Sequence, residues 1–482
     1  MKAIPSFTLP SLLGAALLAL QPGAALSASP AELLEKGIYA QETKGDLDAA
    51  ITIYQQIADE AKASQALAAQ ALVRLGECYI KKNRPTDAQA AFEKVVRDFP
   101  AEKDAVAKAR THLPAELELG AAPWVDGERQ HYKLILPNGF EIGAMELFAD
   151  RATVDGRPVW HLGRRMSGGG EMVSRVDVDA QTLQPLTSYW KHTLLGVATA
   201  AYKPGEVQTR KGDGEPTTSH PEKQVYDNEE FMHLTRVLPL QPGYKVTIPT
   251  FSSLGGGTVI PLVTEVTGKE SVESPAGTFD CFKIKLNIGQ TLWYSDTPER
   301  YLVKFEAGGA AGLLTAISQR KPTDPVPFRD DELGITFTAP AGWLLHHFVA
   351  GQSDKQALIR TFDPEGIFED GGVRLFATDS LPAAARGSAR AWAESDIREN
   401  LSKGLNNAKV RADSWKNVTL AGRPAVSVIV DYTEKDKPAV LYSVRAIGAK
   451  YSEHFVFALP ADQFDAAKAS IDQIVTSYRT TK

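Results

Sequence analysis

Only two of the 482 residues are cysteine, Cys78 and Cys281. They fall in different expected domains, and a disulfide needs Cα atoms within about 7 Å. Two separate buried thiols are therefore expected. The nine histidines never show the pair spaced four apart, with an intervening Glu, that a zinc protease needs. No Gly-x-Ser-x-Gly elbow occurs, so an α/β-hydrolase nucleophile is excluded. Gly168 to Gly170 and Gly255 to Gly257 are glycine triplets. Neither is followed by the Lys-Ser/Thr of a phosphate loop. No run of Lys or Arg exists, and 53 basic against 59 acidic residues leave a charge of -6. That balance excludes a phosphate-binding stripe and, with it, nucleic acid as a partner. No cofactor or metal site and no enzyme activity is read from these residues.

What is present begins at the N-terminus. Lys2 is the only charge before Glu32, Leu9 to Leu20 is apolar, and Ala24, Ala25, Ser27 and Ala28 follow Pro22-Gly23. A positive start, a short apolar core and small residues predict a cleaved signal peptide over 1–28. The protein is then periplasmic or secreted. No Cys follows the cleavage region, so attachment as a lipoprotein is not expected, nor is a later membrane span.

Residues 29–118 are Ala-rich and helical in period. One stretch carries Gly45-Asp46-Leu47, Ala50 and Tyr54; another carries Leu75-Gly76, Tyr79, Ala88, Phe92 and Pro100. In the second, Gly76 and Ala88 are expected where two antiparallel helices touch, with Tyr79 and Phe92 beside the contact. Pro100 ends the pair, and Asp104 to His112 reads as a capping helix. This spacing resembles the tetratricopeptide repeat. The first copy lacks the Leu-Gly pair. The copies stand 38 residues apart (Ala50 to Ala88), which an insertion around Ala61 to Gln65 accounts for.

Pro114 to Pro123 reads as a linker, after which the period becomes two. Tyr132, Leu134 and Leu136 alternate with Lys133 and Ile135, and Pro137-Asn138-Gly139 turns the chain. Further turns follow at Asp155-Gly156, Lys203-Pro204-Gly205, Gln241-Pro242-Gly243 and Ser274-Pro275-Ala276-Gly277, which predicts an antiparallel meander over 124–321. One short helix, capped at Asp227 or Asn228 and carrying Phe231, Leu234 and Val237, interrupts it before Pro239. Four stretches resemble an uncharacterised family of bacterial envelope β-domains: Asp155-Gly156-Arg157-Pro158-Val159, Leu238-Pro239-Leu240-Gln241-Pro242-Gly243, Ser274-Pro275-Ala276-Gly277-Thr278-Phe279-Asp280, and Leu292-Trp293-Tyr294-Ser295-Asp296 followed by Tyr301-Leu302-Val303-Lys304. The resemblance implies a curved half-barrel of lipoprotein-carrier outline, and by analogy a lipid-like ligand.

A Pro-rich stretch, Lys321 to Pro327, precedes residues 328–482. There Leu333 to Pro340 and Gly342-Trp343 open a pattern that resembles the PsbP-like and DcrB-like α/β sandwiches. A helix is expected from Ser388 to Leu405, and a closing helix with Phe464, Ala467, Ile471, Ile474 and Tyr478 on one face. The fold class is thus multidomain: a helical repeat, an antiparallel half-barrel and an α+β sandwich.

Two binding candidates follow. In the repeat family the first helices line a concave groove. The matching positions are Glu32, Glu35, Tyr39 and Glu42 in the first copy, and Gln70, Val73, Glu77, Ile80 and Lys81 in the second. Such a groove would be acidic, suited to a basic or mixed segment of a protein partner. The second candidate is the aromatic set Phe251, Trp293 and Tyr294, which would line a ligand cavity if it faces inward. The strand Gln290 to Tyr294 puts Trp293 and Tyr294 on opposite faces without saying which is inside. Adjacent His346 and His347 are expected at the surface near Trp343. The function expected is an envelope adaptor acting by protein contact, or else a carrier of a lipid-like molecule.

Overall fold

The structure is a computed structural model and describes residues 28–60, 64–168, 170–347, 355–361, 370–434 and 436–480. The signal-peptide expectation, save Ala28, lies outside these residues, as do Ala61 to Ala63 of the expected insertion. The chain divides into two compact units, one ending at Leu113 and one beginning at Pro114.

The first unit is helical. Ser29 and Glu32 form a reciprocal capping box that starts α1 (Pro30–Ile38), which runs on through a π turn, Tyr39–Lys44. Gly45, at φ 64°, supplies the left-handed residue that stops it. Asp46 caps α2 (Leu47–Asp59) and Ser64 caps α3 (Gln65–Lys81); α4 (Pro85–Asp98) and α5 (Lys103–His112) follow. Gly76 is pressed against the ring of Phe92; a Cβ there would stand 2.5 Å from Phe92 Cζ. The first copy does have this contact: a Cβ on Gly37 would stand 2.6 Å from Tyr54 Cε1. Sequence alignment hides it because Gly37 precedes Ala50 by thirteen residues and Gly76 precedes Ala88 by twelve. The π turn absorbs the extra residue, since each of its turns holds more residues than an α turn.

The second unit opens with a stretch that is packed, not free. Ala115 N–H donates to Lys245 O (2.6 Å), and Leu117 and Leu119 lie against the β core. Then come β1 (Glu128–Ile135), β2 (Glu141–Val154), β3 (Arg157–Ser167), β4 (Met172–Asp179), β5 (Pro185–His192), β6 (Gly196–Lys203), β7 (Glu206–Lys211), β8 (Thr217–Ser219) and β9 (Tyr226–Asp227). After α6 (Phe231–Leu234) the strands resume: β10 (Lys245–Ser252), β11 (Thr258–Ser274), β12 (Gly277–Leu286), β13 (Thr291–Ser295), β14 (Leu302–Ala307) and β15 (Ala310–Gln319). All fifteen form one sheet, in the order 8-7-6-5-4-3-2-1-15-14-13-12-11-10-9, antiparallel except for β9 beside β10.

β1 pairs with both β2 and β15, so the sheet grows away from it on two sides. Phe251 of β10 meets Tyr202 of β6 edge to face at 5.8 Å, so the two ends approach without joining in a ladder. The concave side is filled. Phe231, Leu234 and Val237, from α6 and the 3-10 turn after it, are buried with Trp124, Leu147, Leu162, Val246 and Ile284.

The remaining elements are β16 (Val326–Asp330), β17 (Ile335–Ala339), β18 (Trp343–His347), β19 (Lys355–Thr361), β20 (Asp370–Ala377), α7 (Ala389–Asp396), α8 (Ser402–Gly404), β21 (Asn406–Val410), β22 (Lys416–Leu420), β23 (Arg423–Glu434), β24 (Lys437–Ala446), β25 (Tyr451–Pro460), α9 (Phe464–Ser477) and β26 (Arg479–Thr480). The Pro-rich stretch thus ends inside a strand. One antiparallel sheet runs 18-19-20-25-24-23-21, with β22 on β23; a small one runs 16-17-26. Ser388 caps α7, and α9 buries Phe464, Ala467, Ile471 and Ile474, the residues its period puts on one face.

Candidate partner groove and buried polar clusters

The π turn after α1, with α3 and α5, forms a groove of about 710 Å³ in the first unit. Glu42, Gln70, Val73 and Glu77 line it; Glu35, Tyr39 and Lys81 do not. Tyr39 is exposed, and Lys44 stands 5.5 Å from its ring centre. The sequence reading missed Arg74 and the α5 side. Arg74 Nη1 donates to Glu42 Oε1 (2.7 Å), and α5 adds Lys103, Asp104 and Lys108. The groove is therefore not simply acidic. Glu42, Glu77, Glu102 and Asp104 face Arg74, Lys103 and Lys108 over a floor of Val73, Ala66 and Ala105. The helical period of α5 was legible, but its place as a third groove wall was not.

The three aromatic candidates are not brought together. Tyr294 lies inside the half-barrel, where its hydroxyl donates to Met232 O at 2.8 Å. Burial raises its phenol above the ordinary value. Trp293 lies on the other face. Its Nε1 donates to Glu270 Oε1 (2.6 Å), and Lys304 Nζ sits 4.4 Å from its ring centre. It lines an open groove of about 830 Å³ with Leu136, Val272, Leu313, Lys304 and Glu306. Phe251 is fully buried where the ends of the sheet approach.

Cys281 and Cys78 are free and buried, and burial pushes their thiols up to about 12 and about 11, so neither is a ready nucleophile. His346 is buried, not superficial; its Nε2 lies 3.4 Å from Glu141 Oε1. It is buried because β18 is laid against β2, a contact no local pattern announces. Ser443 Oγ stands 3.0 Å from His454 Nε2, but both are buried and Arg445 bonds the same serine oxygen (3.2 Å). Burial, then Arg445 and Arg374, hold the imidazole well below its ordinary pKa. A base that faces guanidinium groups instead of a carboxylate is poorly suited to activating a hydroxyl. Among the described residues no three His, Cys, Asp or Glu are placed to hold a metal ion.

A second polar cluster lies inside the half-barrel. Tyr202 donates to Asp227 Oδ2 at 2.5 Å, Asp227 N–H donates to Glu230 Oε1 at 2.7 Å, and Arg164 pairs with Glu229 at 2.9 Å. Burial lifts Asp227 to about 6, against the pull of the Ser188 and Tyr202 hydrogen bonds and with the push of Glu229. Burial and Asp227 raise Glu230 in the same direction. A carboxyl whose folded pKa exceeds its unfolded one favours folding while protonated, and that contribution is lost as pH rises through the folded value. Stability is thus expected to fall between about pH 4 and pH 6. Asp227→Asn should flatten that slope and add about 1–2 kcal/mol near neutral pH. Denaturant titrations across the acid range check it; an unchanged slope in the variant refutes it.

Comparison with known proteins agrees with the two expected resemblances. Residues 43–113 match the model described as Tetratricopeptide repeat, and residues 129–316 the one described as Protein of unknown function (DUF3108). No curated protein matches. Among solved structures, cyanobacterial PsbP (CyanoP) from Synechocystis is 14% identical over 33% of this chain and 93% of its own, with a TM-score of 0.27. LpqN, involved in cell envelope biogenesis of Mycobacterium tuberculosis, is 14% identical over 33% of this chain and 91% of its own (TM-score 0.22). The immunity protein TplEi of Pseudomonas aeruginosa is 10% identical over 46% and 93% (TM-score 0.20). No helix among the described residues is long and apolar enough to cross a membrane. The chain is thus similar to the tetratricopeptide repeat over 43–113 and, over 129–316, to the family described as Protein of unknown function (DUF3108).

Proposed function

We propose that this is an exported, non-catalytic adaptor of the bacterial envelope that holds a mixed-charge segment of a protein partner in the repeat groove. The observation that carries the reading is the groove itself, open, with charges of both signs around an apolar floor. Alternating charge over apolar spots selects an extended or helical peptide by register, since misplaced like charges repel. The export reading rests on Lys2, the apolar stretch Leu9 to Leu20 and the small residues up to Ala28. The filled half-barrel argues against the carrier alternative. A lipid-like molecule inside it would have to displace Phe231, Leu234 and Val237 from the core.

The test reverses charge at Glu42 and Glu77 together. Partner co-purification from the native host should be lost. Stability should change by no more than about 1 kcal/mol, because these carboxylates are solvated and Glu42 leaves only one exposed ion pair behind. Retained partner with intact folding would count against the groove.

A further inference from the structure

The outer face of β2 to β5 meets the C-terminal region, where Leu344 of β18 packs on Ala144 of β2 and Val173 of β4. Beside that contact lies a cleft of about 340 Å³. Arg165 and Arg175 form one wall with His161; Phe148, Tyr189 and Pro322 supply apolar surface. Arg165 pairs with Val173 and Gly163 with Arg175 across the ladder, so the two arginines are diagonal neighbours on one face, Gly163 between them. A Cβ on Gly163 would stand 2.5 Å from Phe148 Cζ; its absence lets that ring lie in the gap. The Arg165 guanidinium sits 4.5 Å from the ring centre.

The charges here do not balance. Glu146 Oε1 accepts from Arg165 and Oε2 from Arg320, both at 2.7 Å, while Asp150 Oδ2 accepts from Arg129 Nη2 at 3.0 Å. At the mouth, Asp177 pairs with Arg175 (3.1 Å) and lies 2.6 Å from His161 Nδ1. Among the described residues, four guanidinium groups thus share three carboxylates, one positive charge in excess with the imidazoles neutral. Arg165 Nε is buried without a hydrogen-bond partner among the described residues. A surplus cation with an unmet donor in a largely desolvated cleft favours an anion.

We propose that this cleft binds a small organic monoanion, a carboxylate with a flat or short apolar body. Its carboxylate is held by Arg165 and Arg175 and its body lies against Phe148, Tyr189 and Pro322. The size suits it: the cleft is at the lower end of small-molecule sites and lies at a domain junction, where such sites concentrate. This site is separate from the repeat groove, and neither reading depends on the other.

The test titrates cinnamate into the full chain by calorimetry, with its neutral amide as the paired probe. Saturable binding of one cinnamate per chain, with no binding of the amide, is expected. Arg175→Gln, at a half-exposed position, should weaken cinnamate about tenfold. Val173→Trp, which fills the cleft, should abolish binding. Equal affinity for the amide overturns the proposal, as does undiminished cinnamate binding in both folded variants or no saturable cinnamate binding to the wild type.

Discussion

Glu146→Gln is expected to destabilise the protein by about 3–5 kcal/mol, because it leaves buried guanidinium groups without their counter-charge. Glu146 is 1% exposed and is the common acceptor for Arg165 and Arg320, with Arg129 3.9 Å away. Burial alone would raise this carboxyl; Arg165, His131, Arg320 and Arg129 outweigh it and hold it at about 2. A carboxyl with a depressed folded pKa contributes stability above its unfolded value and loses it as pH falls towards the folded one. The gap between wild type and Glu146→Gln should therefore be full near neutral pH and close as pH falls from about 4.5 to about 2. Denaturant unfolding at several acid pH values measures it. A gap that stays constant with pH would mean the effect is shape and not charge. This slope runs opposite to that of Asp227, so the wild type should be most stable in mildly acidic solution.

Gly76→Leu should cost about 3 kcal/mol in the helical unit, at the upper end for overpacking. Two opposing effects meet there. Leaving glycine in a helix interior forgoes about 1 kcal/mol of helix propensity, so any side chain should help α3 locally. The contact decides otherwise: three ring atoms of Phe92 lie between 2.5 and 2.9 Å from the position a Cβ would take. Phe92 has little room to retreat, since it stacks on His112 at 4.5 Å and is itself buried. Leucine must part α3 from α4. Unfolding of the full chain, followed by its helical signal, reads the loss. Adding Phe92→Leu should return part of it; a Gly76→Leu variant as stable as the wild type would show that the helices are not so closely packed.

The sequence by itself determined the elements whose signals are local. Ser29, Asp46, Ser64 and Ser388 start helices because a side-chain oxygen can meet an orphan backbone N–H within three residues. Period-two alternation from Tyr132 and the Pro-Asn-Gly turn gave β1 and β2 for the same reason. The spacing of Gly76, Ala88 and Phe92 gave the repeat. What only the tertiary structure decided is where distant segments meet. Whether Trp293 or Tyr294 faces inward depends on which side of the sheet α6 fills. That Lys103 and Lys108 join Glu42 and Glu77 depends on how α5 stacks on α3. The cluster of Arg129, Glu146, Arg165 and Arg320 draws on β1, β2, β3 and the chain after β15. Along the sequence each of these charges reads as an ordinary solvated residue. Its burial follows from the curl of the sheet and the seating of β18 on β2, which are set by the packing of whole faces and carry no local signal.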